Sequence, residues 1–176
     1  LFDKDSSTPI WTFSYEINKV YAVDISADGE YIVAGTGGGV TYLFDKDSST
    51  PLWSSTGEGI VRAVAISADG EYIIAGDYEG DGYLFDKDSS IPIWNGDIGN
   101  SISTIDISAD GNYITAGSYA GEIRLFDKNS STPIWSYNAE SQIYSVAISA
   151  DGEYIVAGSE DKKIYLFGKE SNNSVW

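Results

Sequence analysis

The sequence predicts an all-β fold in which similar four-stranded antiparallel sheets stand side by side. Three observations carry that expectation: a repeat of about 41 residues, short β-branched and aromatic runs within it, and turn residues between the runs. Leu-Phe-Asp-Lys starts at Leu1, Leu43, Leu84 and Leu125, with a decayed Leu-Phe-Gly-Lys at Leu166, in steps of 42, 41, 41 and 41. Trp11, Trp53, Trp94, Trp135 and Trp176 step identically. Ser-Ala-Asp-Gly begins at Ser26, Ser67, Ser108 and Ser149, always 17 residues ahead of the next Leu-Phe. The one extra residue of the first step therefore falls in a linker, between Trp11 and Val20.

Each repeat holds four strands, here A to D, because its apolar runs are too short for helices and are bounded by turn chemistry. Strand A covers Val20 to Ser26 and the copies from Val61, Ile102 and Ile143. Asp28-Gly29 and its copies supply the positive φ that closes the A–B hairpin. Strand B follows at Tyr31 to Gly35, and strand C ends in Leu43-Phe44. A turn, Asp45-Lys46-Asp47-Ser48-Ser49, then leads to strand D and Trp53. Pro51 cannot donate to a sheet ladder, which makes D the outermost strand. Ala34-Gly35 and its copies, with no bulk on the sheet surface, let neighbouring sheets approach closely.

Four antiparallel strands in about 40 residues, repeated, is the pattern of a β-propeller blade. The stretch Ile143 to Trp176 resembles a WD-repeat blade, with Phe44-Asp45 standing where that family has Trp-Asp. The close of each repeat, Tyr-Leu-Phe-Asp followed by Pro and Trp, resembles the tryptophan-docking repeat of quinoprotein-like propellers. The chain is also similar to near-identical archaeal tandem-repeat propellers of uncharacterised role. It departs from the WD family in having no Gly-His dipeptide, and no cofactor ligands of the quinoprotein enzymes can be matched. The docking resemblance implies that Trp11, Trp53, Trp94, Trp135 and Trp176 pack against neighbouring blades, each indole burying roughly 150–250 Å².

The repeats divide residues 1–176 into one propeller region: a C–D half-blade at 1–11 and four blades at 20–53, 61–94, 102–135 and 143–176. The first hairpin is a faithful copy, so the N-terminus reads as a cut through a longer array. The last copy has decayed, with Gly168, Asn172-Asn173 and Ser174 at odds with the consensus, and reads as close to a natural boundary. Four and a half blades form an arc of a larger ring or half of an eight-bladed assembly closed by a homodimer.

Composition narrows the chemistry. A hydrophobic fraction of 42% supplies a core, while a net charge of −17 repels nucleic acid and anionic lipid. The chain has no Cys and no His, which removes thiolate and imidazole catalysis and the zinc sites built on them. No apolar run approaches the roughly 18 residues of a membrane span. No cofactor and no metal is called for. Acidity, the lack of Cys and Met, and abundant Tyr and Ser suit an extracellular or cell-surface protein; a cytoplasmic scaffold is the alternative.

The A–B and C–D turns share one face, acidic and nearly invariant, while the D–A and B–C loops share the other and vary. At the second residue of strand A the repeats diverge to Tyr21, Arg62, Ser103 and Tyr144, and the B–C loops add Tyr78 and Tyr119. Tyr21, Arg62, Tyr78, Tyr119 and Tyr144 form the candidate binding cluster at one channel mouth, a composition favoured at contact hot spots. The expected function is a non-catalytic scaffold that binds a protein or glycan there. Two alternatives stay open: a carboxylate-dependent glycosidase, lyase or quinoprotein-like enzyme, and a structural array of a cell-surface layer. Asp24 and Asp106 alternate with Ala65 and Ala147 on strand A and supply the carboxylate pair that the glycosidase reading needs. Asp45-Lys46-Asp47-Ser48-Ser49 opens like a calcium loop but lacks its position-6 glycine and position-12 acid, so it reads as a self-bonded turn. Ser159-Glu160-Asp161-Lys162 matches Ser-x-x-Lys outside any helix start, and the Gly37-Gly38-Gly39 loop precedes no helix. Asn129-Ser130-Ser131 and Asn172-Asn173-Ser174 are glycosylation acceptors if the chain is exported.

Overall fold

In the computed structural model of the chain, residues 1, 5–14 and 19–175 are described, and none of them is helical. Three four-stranded antiparallel sheets and one three-stranded sheet follow one another, each with its strands in chain order. The first holds β1 (Val20–Ile25), β2 (Tyr31–Thr36), β3 (Val40–Asp45) and β4 (Trp53–Thr56). The second holds β5 (Val61–Ile66), β6 (Tyr72–Asp77), β7 (Asp81–Asp86) and β8 (Trp94–Asp97). The third holds β9 (Ile102–Ile107), β10 (Tyr113–Ser118), β11 (Glu122–Asp127) and β12 (Trp135–Asn138). The fourth holds β13 (Ile143–Ile148), β14 (Tyr154–Ser159) and β15 (Ile164–Gly168). Strands β1, β5, β9 and β13 pack against one another in that order, so the chain is a β-propeller arc with the first strand of each blade innermost.

The A–B turns satisfy themselves. Ser26 Oγ donates to Asp28 Oδ1 at 2.6 Å and accepts from the Tyr31 amide at 3.0 Å, Gly29 takes φ +76°, and the other three turns repeat the arrangement. These bonds to the ionised carboxyl, led by the serine hydroxyl, hold Asp28 and Asp151 below the ordinary aspartate value. The fourth strand begins at the tryptophan, whereas the sequence suggested that it ends there. Trp53 pairs with Leu43 and Thr56 with Val40, while Pro51 stays in the preceding turn. That turn is closed by Leu52 N–H donating to Leu43 O at 2.8 Å, and Leu1, Leu84, Leu125 and Leu166 accept the same bond from Ile10, Ile93, Ile134 and Val175. The half-blade hairpin at 1–11 falls partly on residues outside those described, as does Trp176.

The core is split into separate apolar clusters at the successive junctions, with Leu43, Phe85 and Ile73 between the first two blades and Leu125, Phe167 and Ile143 between the last two. The same contacts recur at each junction. The indole N–H of Trp11, Trp53, Trp94 and Trp135 donates to the carbonyl of Lys46, Lys87, Lys128 and Lys169 in the following blade, at 2.7–2.9 Å. Each of these indoles also meets a phenyl ring of that blade, Trp53 on Phe85 at 5.1 Å being representative. Tyr31, Tyr72 and Tyr113 slide over the turn glycine of the next blade and under its lysine ammonium, at 4.3–5.6 Å from Nζ to the ring centre. Nearer the axis the turns join directly: Ala27 N–H donates to Ala68 O, Ala68 to Ala109 and Ala109 to Ala150, all at 3.1 Å.

Asp24 and Asp106 belong to this machinery. Asp24 accepts from Ile25 N–H at 2.8 Å with one oxygen and from Ile66 N–H of the next blade at 2.9 Å with the other. Asp106 does the same for Ile107 and Ile148, at 2.9 Å each. Two carboxylates thus cap four inner-edge amides, which accounts for the Asp, Ala, Asp, Ala alternation without asking for a fixed carboxylate in every blade. Burial pushes the Asp106 carboxyl above the ordinary aspartate value, the Ile148 and Ile107 amides pull it back, and Asp24 adds to the rise.

The arc leaves apolar faces open at both ends. Val23 is 67% exposed, while its counterparts Val64, Ile105 and Val146 are 7–8% exposed because a preceding blade covers them. Ile164 is 59% exposed and its counterpart Ile123 is fully buried.

Two predictions follow from these junctions. A methyl on Gly76 would come within 2.8 Å of Ile102 Cγ2, whereas one on Gly158 meets nothing within 4 Å. Gly76→Ala should destabilise by about 1–3 kcal/mol. In a single copy, where no blade follows the fourth, Gly158→Ala should be neutral or stabilising by up to about 1 kcal/mol. Urea unfolding of both variants as monomers, in a Val23→Glu background, checks this, and equal effects would contradict it. For Asp106, a raised folded-state pKa means that the native chain holds the proton more firmly than the unfolded chain. That stability is complete below about pH 4 and is lost as pH rises through the folded value. The unfolding free energy of wild type minus that of Asp106→Asn should therefore shrink as pH rises from about 3.5, then level off; a flat difference would refute the burial account.

Candidate functional site

The loop face between strands D and A and between B and C is built around a β-bulge that recurs in every blade. Val20 pairs with Thr36 and Ala22 with Gly35, leaving Tyr21 as the extra residue. The same slip leaves Arg62 between Val61 and Ala63, Ser103 between Ile102 and Thr104, and Tyr144 between Ile143 and Ser145. A bulged residue has no partner across the ladder, and the local twist re-aims its side chain. The repeats diverge there because ladder pairing does not constrain that position.

The bulges and the B–C turns bring Tyr21, Arg62, Tyr78 and Tyr119 together. The Arg62 guanidinium carbon lies 4.9 Å from the centre of the Tyr21 ring and 5.9 Å from that of Tyr119. Its Nη2 donates to the Tyr119 hydroxyl at 2.9 Å. Tyr78 meets Tyr119 at 6.5 Å between ring centres, inclined by 52°. The Tyr21 ring leans over Gly37, where a methyl would come within 2.9 Å of it. Tyr144, on the other side of Tyr119, is more than half exposed, and partial desolvation together with the Glu160 carboxylate pushes its phenol above the ordinary tyrosine value. Ser103 fills the remaining bulge, its hydroxyl lying within donating reach of two carbonyls, Ile143 O at 2.5 Å and Gly117 O at 3.0 Å.

The cluster centres on a cation held by tyrosines, an arrangement that Lys128 over Tyr72 also shows. Arg62 makes no ion pair among the described residues, although the net charge is −17. Arg124, by contrast, bridges Asp97 at 3.1 Å and Glu122 at 2.9 Å. A half-buried guanidinium held by ring faces and one phenol keeps donor hydrogens for an incoming acceptor.

The remaining candidates are mostly engaged by their own surroundings. Asp45 Oδ1 accepts from Asp47 N–H at 2.8 Å, and Asp86 and Asp127 repeat the turn; Asp3 lies outside the described residues. Among the described residues no three acidic side chains converge to hold a metal ion. Asn129 Nδ2 donates to Asp127 Oδ1 at 2.7 Å and Asn172 Nδ2 to Ser136 O at 3.0 Å. Ser159 Oγ donates to Ser141 O at 3.3 Å within a β-turn.

One feature of this face was not singled out from the sequence. Asp77, Glu79, Asp81 and Asp97 gather on the rim beside a groove of about 500 Å³ lined by Glu79, Asp81, Asp97, Glu122 and Arg124. Burial raises the Asp81 carboxyl, and the carboxylates of Asp77, Asp97, Glu58 and Glu79 raise it further. The signal was present as Asp-Tyr-Glu-Gly-Asp at 77–81, where the other blades have at most two acids.

Among the described residues no helix is long and apolar enough to cross a membrane. No curated protein matches the chain. The family model described as outer membrane protein assembly factor BamB matches residues 1–176, the full length in which the tryptophan-bearing blades repeat. On that match, and on a β-propeller arc whose junctions repeat blade after blade, the chain belongs to this quinoprotein-type repeat family.

Proposed function

We propose that the chain is a non-catalytic propeller module that holds a protein partner on its D–A and B–C loop face, at the cell envelope. The observation that carries this reading is the unpaired guanidinium of Arg62 between Tyr21 and Tyr119. Arg and Tyr on rigid strands lose little conformational freedom on contact, and such residues dominate interface energetics. An acidic side chain of the partner is the fitting complement, because Arg62 is a local cation in an otherwise repelling field. The family description names an assembly factor of the outer membrane, which supports both the interaction role and the envelope.

The test places a photo-crosslinking residue at Ala120 on the loop face and, as a control, at Asp47 on the opposite face. A discrete protein adduct should form from Ala120 and not from Asp47. Arg62→Ala combined with Tyr78→Ala should weaken the captured partner at least about tenfold, since hot-spot truncations each cost more than about 1 kcal/mol. Undiminished binding would defeat the proposal.

The open end faces favour a second reading on assembly. Val20, Val23 and Ile25 at one end, and Tyr154, Val156 and Ile164 at the other, occupy positions that neighbouring blades cover inside the arc. We infer that a second copy covers them head to tail and closes an eight-bladed ring. Both ends must be satisfied at once for the ring to close. Sedimentation at micromolar concentration should give a dimer, and Val23→Glu should convert it to a monomer; a wild-type monomer would exclude the ring.

A further inference from the structure

We propose that the second blade carries a binding site for a hard divalent cation, Mg²⁺ or Ca²⁺, held by Asp77 and Glu79 against Gly59. The position of Asp77 is Thr36, Ser118 and Ser159 in the other blades. There a single hydroxyl serves the B–C turn: Thr36 Oγ1 accepts from Val40 N–H at 3.1 Å and Ser118 Oγ from Glu122 N–H at 3.1 Å. In the second blade one oxygen of Asp77 does this work, Oδ1 accepting from the Gly80 and Asp81 amides at 2.9 Å each. The second oxygen is surplus to the turn.

That oxygen is the anomaly. Asp77 is 1% exposed, and its Oδ2 has no hydrogen-bond partner. A buried carboxylate oxygen without a donor is costly, so sites that keep one usually employ it. It points at Gly59, where a methyl would come within 2.8 Å of it, and the same methyl would collide with Glu79 Oε2. Two carboxylate oxygens therefore stand against the same face of Gly59, an approach that any side chain at residue 59 would block. The pair is framed from outside the turn as well, since Tyr78 N–H donates to Ile60 O at 2.9 Å and ties the β6–β7 turn to the β4–β5 linker.

No cation among the described residues relieves this pair. Among the described residues no ion pair reaches Asp77, Glu79 or Asp81, and the nearby Arg124 is engaged by Asp97 and Glu122. The donor set fixes the kind of ligand. Oxygen-only, anionic donors suit a hard cation. With two carboxylates and no third acid converging, water fills most of the coordination shell, as is usual for Mg²⁺ and for weak Ca²⁺ sites. An affinity on the order of 0.1–1 mM is expected, the class in which extracellular calcium modules work.

Titration calorimetry and thermal melting in MgCl₂ or CaCl₂, against NaCl at matched ionic strength, test the site. One of the two divalent ions should bind with unit stoichiometry and raise Tm by a few degrees beyond NaCl. Asp77→Ser copies the hydroxyl of the sister blades, so it keeps the turn while deleting Oδ2; it and Glu79→Gln should each weaken binding at least about tenfold. Glu71→Gln, on the opposite face, should leave binding unchanged. Equal binding by all four proteins would mean diffuse screening of negative charge, and absence of binding by wild type would mean that the pair holds no cation; either result overturns the site.

Discussion

No blade of this chain can bury both of its faces, and the rest of the structure follows from how each hands one face to the next. A four-stranded sheet of about 36 residues is too thin to enclose a core alone. The apolar surface is therefore assembled at the junctions, where one blade contributes leucine, tryptophan and tyrosine and the following blade contributes phenylalanine, the first residues of its inner strand and a lysine carbonyl. The polar groups there are also shared forward: an indole N–H, an alanine amide and, in every second blade, an aspartate oxygen cross to the neighbour. Because each of these groups reaches from its own blade to the one that follows, adding a blade repeats the junction without redesign.

Much of this was legible in the sequence because the junction recurs. Tryptophan spacing, the Ala-Gly pair ending each β2-type strand and the Asp-Gly turns repeat with the blades, and each has a local physical meaning that a single copy would not secure. Gly35, Gly76 and Gly117 face a β-branched side chain of the following blade, whereas Gly158 faces open space, so the same residue is a packing requirement in three copies and idle in one. What the repeat did not reveal is what depends on pairing. The start of strand D at Trp53 is set by the bond from Leu52 to Leu43, which lengthens the turn and carries Pro51 out of the strand. The alanine of Ser-Ala-Asp-Gly looks like filler until its backbone is seen to join neighbouring turns.

The candidate site shows a different limit. The divergence at Tyr21, Arg62, Ser103 and Tyr144 was visible, and so was its placement near one end of strand A, but its cause was not. A bulge is a property of register, and register cannot be read where both flanking residues are apolar. The alternation of Asp24 and Asp106 with alanine was likewise visible and open to a catalytic reading. Their oxygens, each aimed at a backbone amide, show that an isolated acid on an inner strand can be a fastener for the neighbouring blade.

The division between what repeats and what varies is itself a physical constraint on where function can sit. Any residue that touches the next blade must suit the same partner several times over, so changes there disturb a junction. Residues at the bulge and in the B–C turns reach across blades only through side chains at the loop face, as Arg62 does to Tyr21 and Tyr119, outside the contacts that recur at every junction, and they can change one copy at a time. Arg62 and Asp77 illustrate the two ways such freedom is used. Arg62 places a positive charge among tyrosines without disturbing Val61, which stays fully within the core. Asp77 replaces a hydroxyl that serves the turn with a carboxylate that serves it equally well and leaves one oxygen over. In both cases the junction chemistry is untouched, the fold tolerates the change, and the blade acquires a charged group that its sisters lack.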